Sequence, residues 1–301
     1  MGKIRFLIVF ALLVGGVVLA AIGRTDPRVN FGSLMSLWSD ALRDTDQVGM
    51  KLTRMSDADE MRIGAEIAAT IPSTSSAYLT DVGQTLVPNV RRPGIHYQFH
   101  VYDSPSINAF AIPGGQIFVT SAMLGMVQSE AELAAVLGHE ISHVDFRHCI
   151  EHYQYEETLR KAGVPEVGWL VEVGHRLATI GNSPYQELEA DAGGETLAIK
   201  AGYDPDAAAT LFARMKAEFH EPPPQRESTP TGEMAQATIG AIGSYFQSHP
   251  PFDERERQLN AQVARHQRDL KGKAFYVGKK NLQEQVARSR QQFPGELRTI
   301  H

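Results

Sequence analysis

Two histidines four residues apart, with a glutamate directly after the first, stand in the run His139-Glu140-Ile141-Ser142-His143. On a helix, residues four apart share a face, so both imidazoles can offer a ring nitrogen to one zinc ion while Glu140 reaches a water held there. The elements around the run must make that helix. Ser129 with Glu132 reads as a capping box, and Leu133, Val136, Leu137, Ile141 and Val144 follow at helical spacing. The pentapeptide then lies mid-helix. A lone match of this kind also arises by accident, so a third ligand is required from elsewhere in the chain.

Glu187 and Asp191 are one turn apart on a second expected helix, which Ser183-Pro184 opens and Gly202 ends. Its position after the histidine pair allows an antiparallel return past them. In that arrangement Glu187 is the third ligand and Asp191 an acceptor that orients a ligand imidazole. The same spacing also describes an ordinary exposed acidic helix.

The chain has 301 residues, a net charge of -6 and a single cysteine, Cys149. This length suits one sizeable catalytic domain, and the negative balance carries no footprint for nucleic acid. One cysteine excludes an intrachain disulfide and a CxxC zinc ribbon, so His and carboxylate ligands must make any metal site.

Lys3 and Arg5 precede eighteen uncharged residues, Phe6 to Gly23. As a helix this stretch reaches about 27 Å, near the hydrocarbon thickness of a bilayer. It reads as a retained membrane anchor or as a signal peptide cleaved after Ala20 or Ala21. Either way the remaining chain lies outside the cytoplasm, in the cell envelope. The expected organisation is residues 1–23 as anchor or signal, 24–55 as juxtamembrane linker, 56–270 as the catalytic domain and 271–301 as a polar tail.

Within the domain, helices are expected over Asp57–Thr70 and Ser76–Val87, from Asp204-Pro205 to about Phe219, and from Asp253 to about Leu270. Ile95, Tyr97, Phe99 and Val101 alternate with His96, Gln98 and His100 as a strand, which leaves the two histidines solvated. Ala109–Ile112 and Gln116–Thr120 flank Pro113-Gly114-Gly115 as two extended segments around a turn. Residues 220–232, rich in proline, read as a loop. His148 and His152 form a further pair, but at an offset from His143 that misses the zinc face, and they read as surface or packing residues. The fold class is α+β, mainly helical, with a small sheet.

Taken in order, HEISH, Glu187-Leu188-Glu189-Ala190-Asp191 with Gly194, Gly202-Tyr203-Asp204-Pro205, and His249-Pro250-Pro251 with Arg255 resemble the HtpX-like, Oma-like and BepA-like zinc metallopeptidases, relatives of the CAAX prenyl endopeptidases. The segment Asn108 to Val119 is similar as well, and the resemblance covers about residues 56–265. Pro184-Tyr185 departs from the arginine that many relatives carry there.

The resemblance implies a zincin-like core built on the HExxH helix. It makes His139, His143 and Glu187 the ligands of one Zn2+, Glu140 the general base and Asp191 the carboxylate behind them. It also implies that His249 is a fourth ligand or a latch over the metal, with an ordinary turn histidine as the alternative, and that Arg255 stabilises the transition state or is simply exposed on its helix. Asn108, Ala109, Phe110 and Ala111 would form an edge for protein substrates in extended conformation. The implied activity is zinc-dependent hydrolysis of unfolded or misassembled envelope proteins. A chaperone whose metal site stays latent is the competing expectation.

Overall fold

The computed structural model describes residues 55–151, 153, 182, 184–218, 249 and 253–301. The expected anchor, the expected linker up to residue 54, His152 and the proline-rich loop lie outside the described residues. Among those described, no helix is long and apolar enough to cross a membrane.

Helix α1 (Asp57–Ala68) and helix α2 (Ala77–Leu86) begin at Ser56 and Ser76, whose side chains accept the backbone N–H of Asp59 and Leu79. Strand β1 (Thr74–Ser75) lies between them. Strands β2 (Gln98–Tyr102), β3 (Ala109–Ile112) and β4 (Gln116–Thr120) complete a mixed sheet of order β1-β2-β4-β3, in which only β2 and β4 run parallel. The turn between β3 and β4 needs its glycines, because Gly114 and Gly115 have φ of 78° and 85°. Helix α1 seats this turn through buried Glu60, which accepts the Gly114 N–H at 3.3 Å.

Both faces of β3 and β4 are covered. Ala109, Ala111, Ile117 and Val119 face the main core, while Phe110, Ile112 and Phe118 pack with Ile63 and Ile67 of α1. Such strands read as continuous apolar runs. His100 departs from its expected solvated position: it is half-buried, its ring stacks on Phe118 at 4.6 Å, and its Nε2 meets Gln116 Oε1 at 2.8 Å. His96 is exposed, as the alternation predicts.

A short helix α3 (Ser121–Met126) leads into helix α4 (Glu130–Asp145), which is buried on nearly every side. Ser129 caps α4 by accepting the Glu132 N–H at 3.2 Å. The Glu132 carboxylate reaches back one residue beyond the usual capping box, to the Gln128 N–H at 2.7 Å. Helix α5 (Pro184–Lys200) packs along α4, and helices α6 (Ala207–Glu218) and α7 (Asp253–Asp269) close around them.

The last thirty residues are not the polar tail that their composition suggests. Strand β5 (Ala274–Tyr276) and strand β6 (Leu297–Thr299) form a hairpin-like pair around helix α8 (Lys279–Glu284). Phe275, Tyr276, Ala287 and Ile300 are buried. The carbonyls of Gly278 and Val277 accept the first two N–H groups of α4, at 3.0 Å each, and so satisfy donors that a helix start leaves open. Strands of three residues are too short for their alternation to stand out in sequence. The observed class is therefore α+β, mainly helical, with a small mixed sheet.

Candidate metal centre

Helices α4 and α5 touch backbone to backbone. A Cβ on Gly194 would lie 2.7 Å from the His139 nitrogen, and one on Gly138 would lie 2.9 Å from the Gly194 carbonyl oxygen. Glycine on both sides permits the approach that sets Glu187 opposite the histidine pair. His139 and His143 project from α4, Glu187 from the first turn of α5, and His249 joins them from the chain before α7. One ligand atom from each of these four residues lies within 4.8 Å of every other, and all four residues are buried.

The atoms converge closely. His139 Nε2 is 3.0 Å from His143 Nε2 and 3.2 Å from His249 Nδ1, and His249 Nδ1 is 3.0 Å from Glu187 Oε1. Glu187 Oε1 is also 3.4 Å from His143 Nε2. Three imidazole nitrogens and a carboxylate form a donor set that suits zinc, whereas calcium or magnesium would need oxygen ligands. Glu140, 1% exposed, has two carboxylate oxygens that accept no hydrogen bond among the described residues, with Oε1 3.3 Å from His249 Nε2. A buried carboxylate left in this way beside four convergent donors fits a site made for an ion and its water.

The two helix histidines are held differently. Asp191 Oδ1 lies 2.9 Å from His139 Nδ1, and the Arg255 guanidinium grips the same carboxylate with Nε and Nη2, both at 2.8 Å. Arg255 Nη1 also donates to the His249 carbonyl at 3.1 Å and sits 2.9 Å from Glu187 Oε2. The guanidinium, 1% exposed, is thus turned inward onto the carboxylates, which corrects the alternative of an arginine exposed on its helix.

His143 instead meets a third helix-end histidine, with Nδ1 2.9 Å from His148 Nδ1, and His148 Nε2 lies 3.1 Å from Glu189 Oε2. His148 is fully buried, which fits the packing alternative of its expected surface-or-packing role, and it adds a contact to His143 that the residue spacing did not predict. The reason is a break in the helix. After Asp145 the chain passes through Arg147 at φ 70°, and helical conformation resumes at 148–151, so the offset from His143 no longer follows the α-helical wheel. A left-handed arginine costs about 1–2 kcal/mol and carries no signature in sequence. Its guanidinium is held by Asp57 at 3.3 Å and the Met55 carbonyl at 2.9 Å. Asn182, also unforeseen, places Nδ2 3.4 Å from His143 Nε2.

Electrostatics follow this geometry. Burial pushes His139 down, but its bonds to Asp191 and Glu187 prevail and raise its pKa to about 10. Burial dominates at His143 and holds it well below the usual histidine value. Burial raises the Glu140 carboxyl, partly offset by His249 and His139. Burial alone would raise Glu187 and Asp191, yet His249 and Arg255 hold Glu187 well down and Arg255 with His139 holds Asp191 at about 2.

The expected substrate edge occupies the end of the sheet. Asn108 donates its N–H to Thr120 Oγ1 at 3.0 Å and accepts the Thr120 N–H at 3.0 Å. Even-numbered residues of β3 therefore face β4, and the main chain of Ala109 and Ala111 faces the other way. Asn108, Ala109, Phe110 and Ala111 are buried as whole residues, main chain included, and Cys149 Sγ donates to the Ala111 carbonyl at 3.5 Å.

The model of peptidase family M48 matches residues 73–263. The mitochondrial metalloendopeptidase OMA1 of Schizosaccharomyces pombe is 29% identical over 65% of this chain and 56% of its own length. The beta-barrel assembly-enhancing protease of Escherichia coli K12 is 28% identical over 49% of this chain and 34% of its own. The mitochondrial metalloendopeptidase OMA1 of Bos taurus is 34% identical over 42% and 27%. The chain thus spans about half or less of these curated relatives. With the match covering well over half of its residues, the chain belongs to peptidase family M48.

Proposed function

We propose that this protein is a zinc-dependent endopeptidase with a zincin-like core, acting on unfolded or misassembled proteins of the cell envelope. The observation that carries the reading is the convergence of His139, His143, Glu187 and His249 beside the buried carboxylate of Glu140. His139, His143 and Glu187 would hold the ion. Zinc bound there supplies Lewis acidity toward a peptide carbonyl and a water acidified to a pKa of about 7.

The chain's own residues do the rest. Glu140, with a carboxyl raised by burial, takes a proton at Oε1 or Oε2 and delivers it to the leaving amine. Asp191 orients His139, and Arg255 positions Asp191 and Glu187. Asn108 to Ala111 would form the edge for a substrate strand, selecting extended segments and reading few side chains, once this buried strand is uncovered and Cys149 Sγ leaves the Ala111 carbonyl, which it meets at 3.5 Å. His249, close to all three proposed ligands and to Glu140, occupies the position a substrate needs, and withdrawing it would open the site. The envelope location rests on the charged-then-apolar N-terminus and on the kinship with the beta-barrel assembly-enhancing proteases. Residues 1–23 are read as anchor or signal and 24–55 as linker.

Glu140→Gln tests the reading. Casein cleavage should fall by about 10²–10⁴-fold with zinc content unchanged. Undiminished cleavage would refute the mechanism. Zinc binding with no cleavage by wild type would favour a chaperone with a latent site, a reading to which the close approach of His249 lends weight. His249→Ala should keep or raise cleavage, and a large loss with zinc still bound would give His249 a catalytic role instead of a latch.

A further inference from the structure

We infer that His148 and Glu189 form a positioning relay that sets the tautomer of His143, and with it the grip of the centre on its metal. The inference rests on His143 being a ligand, as proposed above. His143 turns Nε2 toward His139 and Glu187, so that nitrogen must present its lone pair to an ion. The one proton of the neutral ring then belongs on Nδ1. That nitrogen lies 2.9 Å from His148 Nδ1, and two nitrogens at this distance share a single proton. His148 Nδ1 must therefore be the bare acceptor, and the proton of the neutral His148 ring sits on Nε2, 3.1 Å from Glu189 Oε2.

A carboxylate can only accept. The chain of donors thus runs one way: His143 Nδ1–H to His148 Nδ1, then His148 Nε2–H to Glu189. Reversing it would place a proton on His143 Nε2, where the lone pair must meet the ion, and would set the lone pair of His148 Nε2 against the carboxylate. Glu189 stands at the rim, with its side chain 28% exposed, while His148 is fully enclosed. The turn at Arg147 holds His148 in place beneath His143. Partners that fix a ligand histidine in this way contribute about 10–100-fold to metal affinity.

The test is a zinc titration of the full chain, purified in detergent, against a competing chromophoric chelator, with thermal melts of the metal-free proteins alongside. His148→Leu should weaken zinc binding about 10–100-fold. His148→Gln should recover most of that loss, because its amide oxygen can accept from His143 Nδ1 while the metal-free melting temperatures of the two variants stay close. Glu189→Leu should weaken binding a few-fold. Equal affinity of His148→Leu and wild type overturns the relay, and so does an equal loss in the Leu and Gln variants with parallel falls in melting temperature, which marks a packing role. Should His148→Leu fail to fold, Glu189→Leu decides, and unchanged affinity there overturns the relay. A wild-type chain that takes up no zinc brings down the metal centre itself, a result distinct from any of these.

Discussion

His139 and His143 lie one helical turn apart, yet they are supported by opposite means. Behind His139 stands a charged assembly, with Asp191 gripped by the Arg255 fork and Glu187 reached by the same guanidinium, all deeply buried. Behind His143 stands a second imidazole, that of His148, which leads to a carboxylate at the rim. Asp191 and Glu187 raise His139 to about 10 against its burial, whereas burial holds His143 well below the usual value. Buried charges tie the first support to folding, since one partner cannot be removed without stranding the other. The second can lose a member while the fold persists.

The largest effect should come from Arg255→Met, which strands Asp191 and Glu187 in the interior. A loss of about 3–5 kcal/mol in denaturant unfolding is expected, and a loss below 1 kcal/mol would erase the contrast. Gly194→Ala should come next. Its added methyl meets the His139 backbone at 2.7 Å and forces α4 and α5 apart, at a cost of about 1–3 kcal/mol together with zinc affinity, read by melting and by the chelator titration.

His266 gives a measure of the charged type away from the centre. Burial lowers its pKa, but Asp206 at 3.1 Å and Glu195 raise it to about 9. Because the folded value lies above the unfolded one of about 6.5, this stability is full below pH 6.5 and disappears as pH rises through 9. His266→Gln should therefore destabilise by about 1–2 kcal/mol at pH 6 and by much less at pH 9.5, in thermal melts at the two pH values. A pH-independent difference would mean that His266 acts by packing. Glu189→Gln should have the smallest effect on folding, within about 0.5 kcal/mol, because the new amide oxygen still accepts from His148. A loss resembling that of Arg255→Met would show the two supports to be alike.

Regular, local chemistry was legible in the sequence. The helix over HEISH, its Ser129 cap, the helix from Pro184 to the turn at Gly202, and the Pro-Gly-Gly turn between β3 and β4 all follow from periodicity, capping and positive φ. So did the meeting of His139, His143, Glu187, Asp191 and His249, although part of that came from family resemblance. Other features had no local signal. The inward turn of Arg255 depends on where Asp191 and Glu187 lie on another helix. The seating of Phe275 and Tyr276 depends on the N-terminus of α4, whose open N–H groups need carbonyls from a distant stretch.

By itself the sequence determined which residues could do the chemistry, because ligand type and a spacing of four on a helix are properties of short stretches. Tertiary structure alone decided how each of these side chains is held. His148 shows why: its place beneath His143 depends on a left-handed Arg147, and that strained residue is stabilised by Asp57 and the Met55 carbonyl, about ninety residues away. Where long-range contacts outweigh local backbone preference, residue spacing ceases to report which side chains meet.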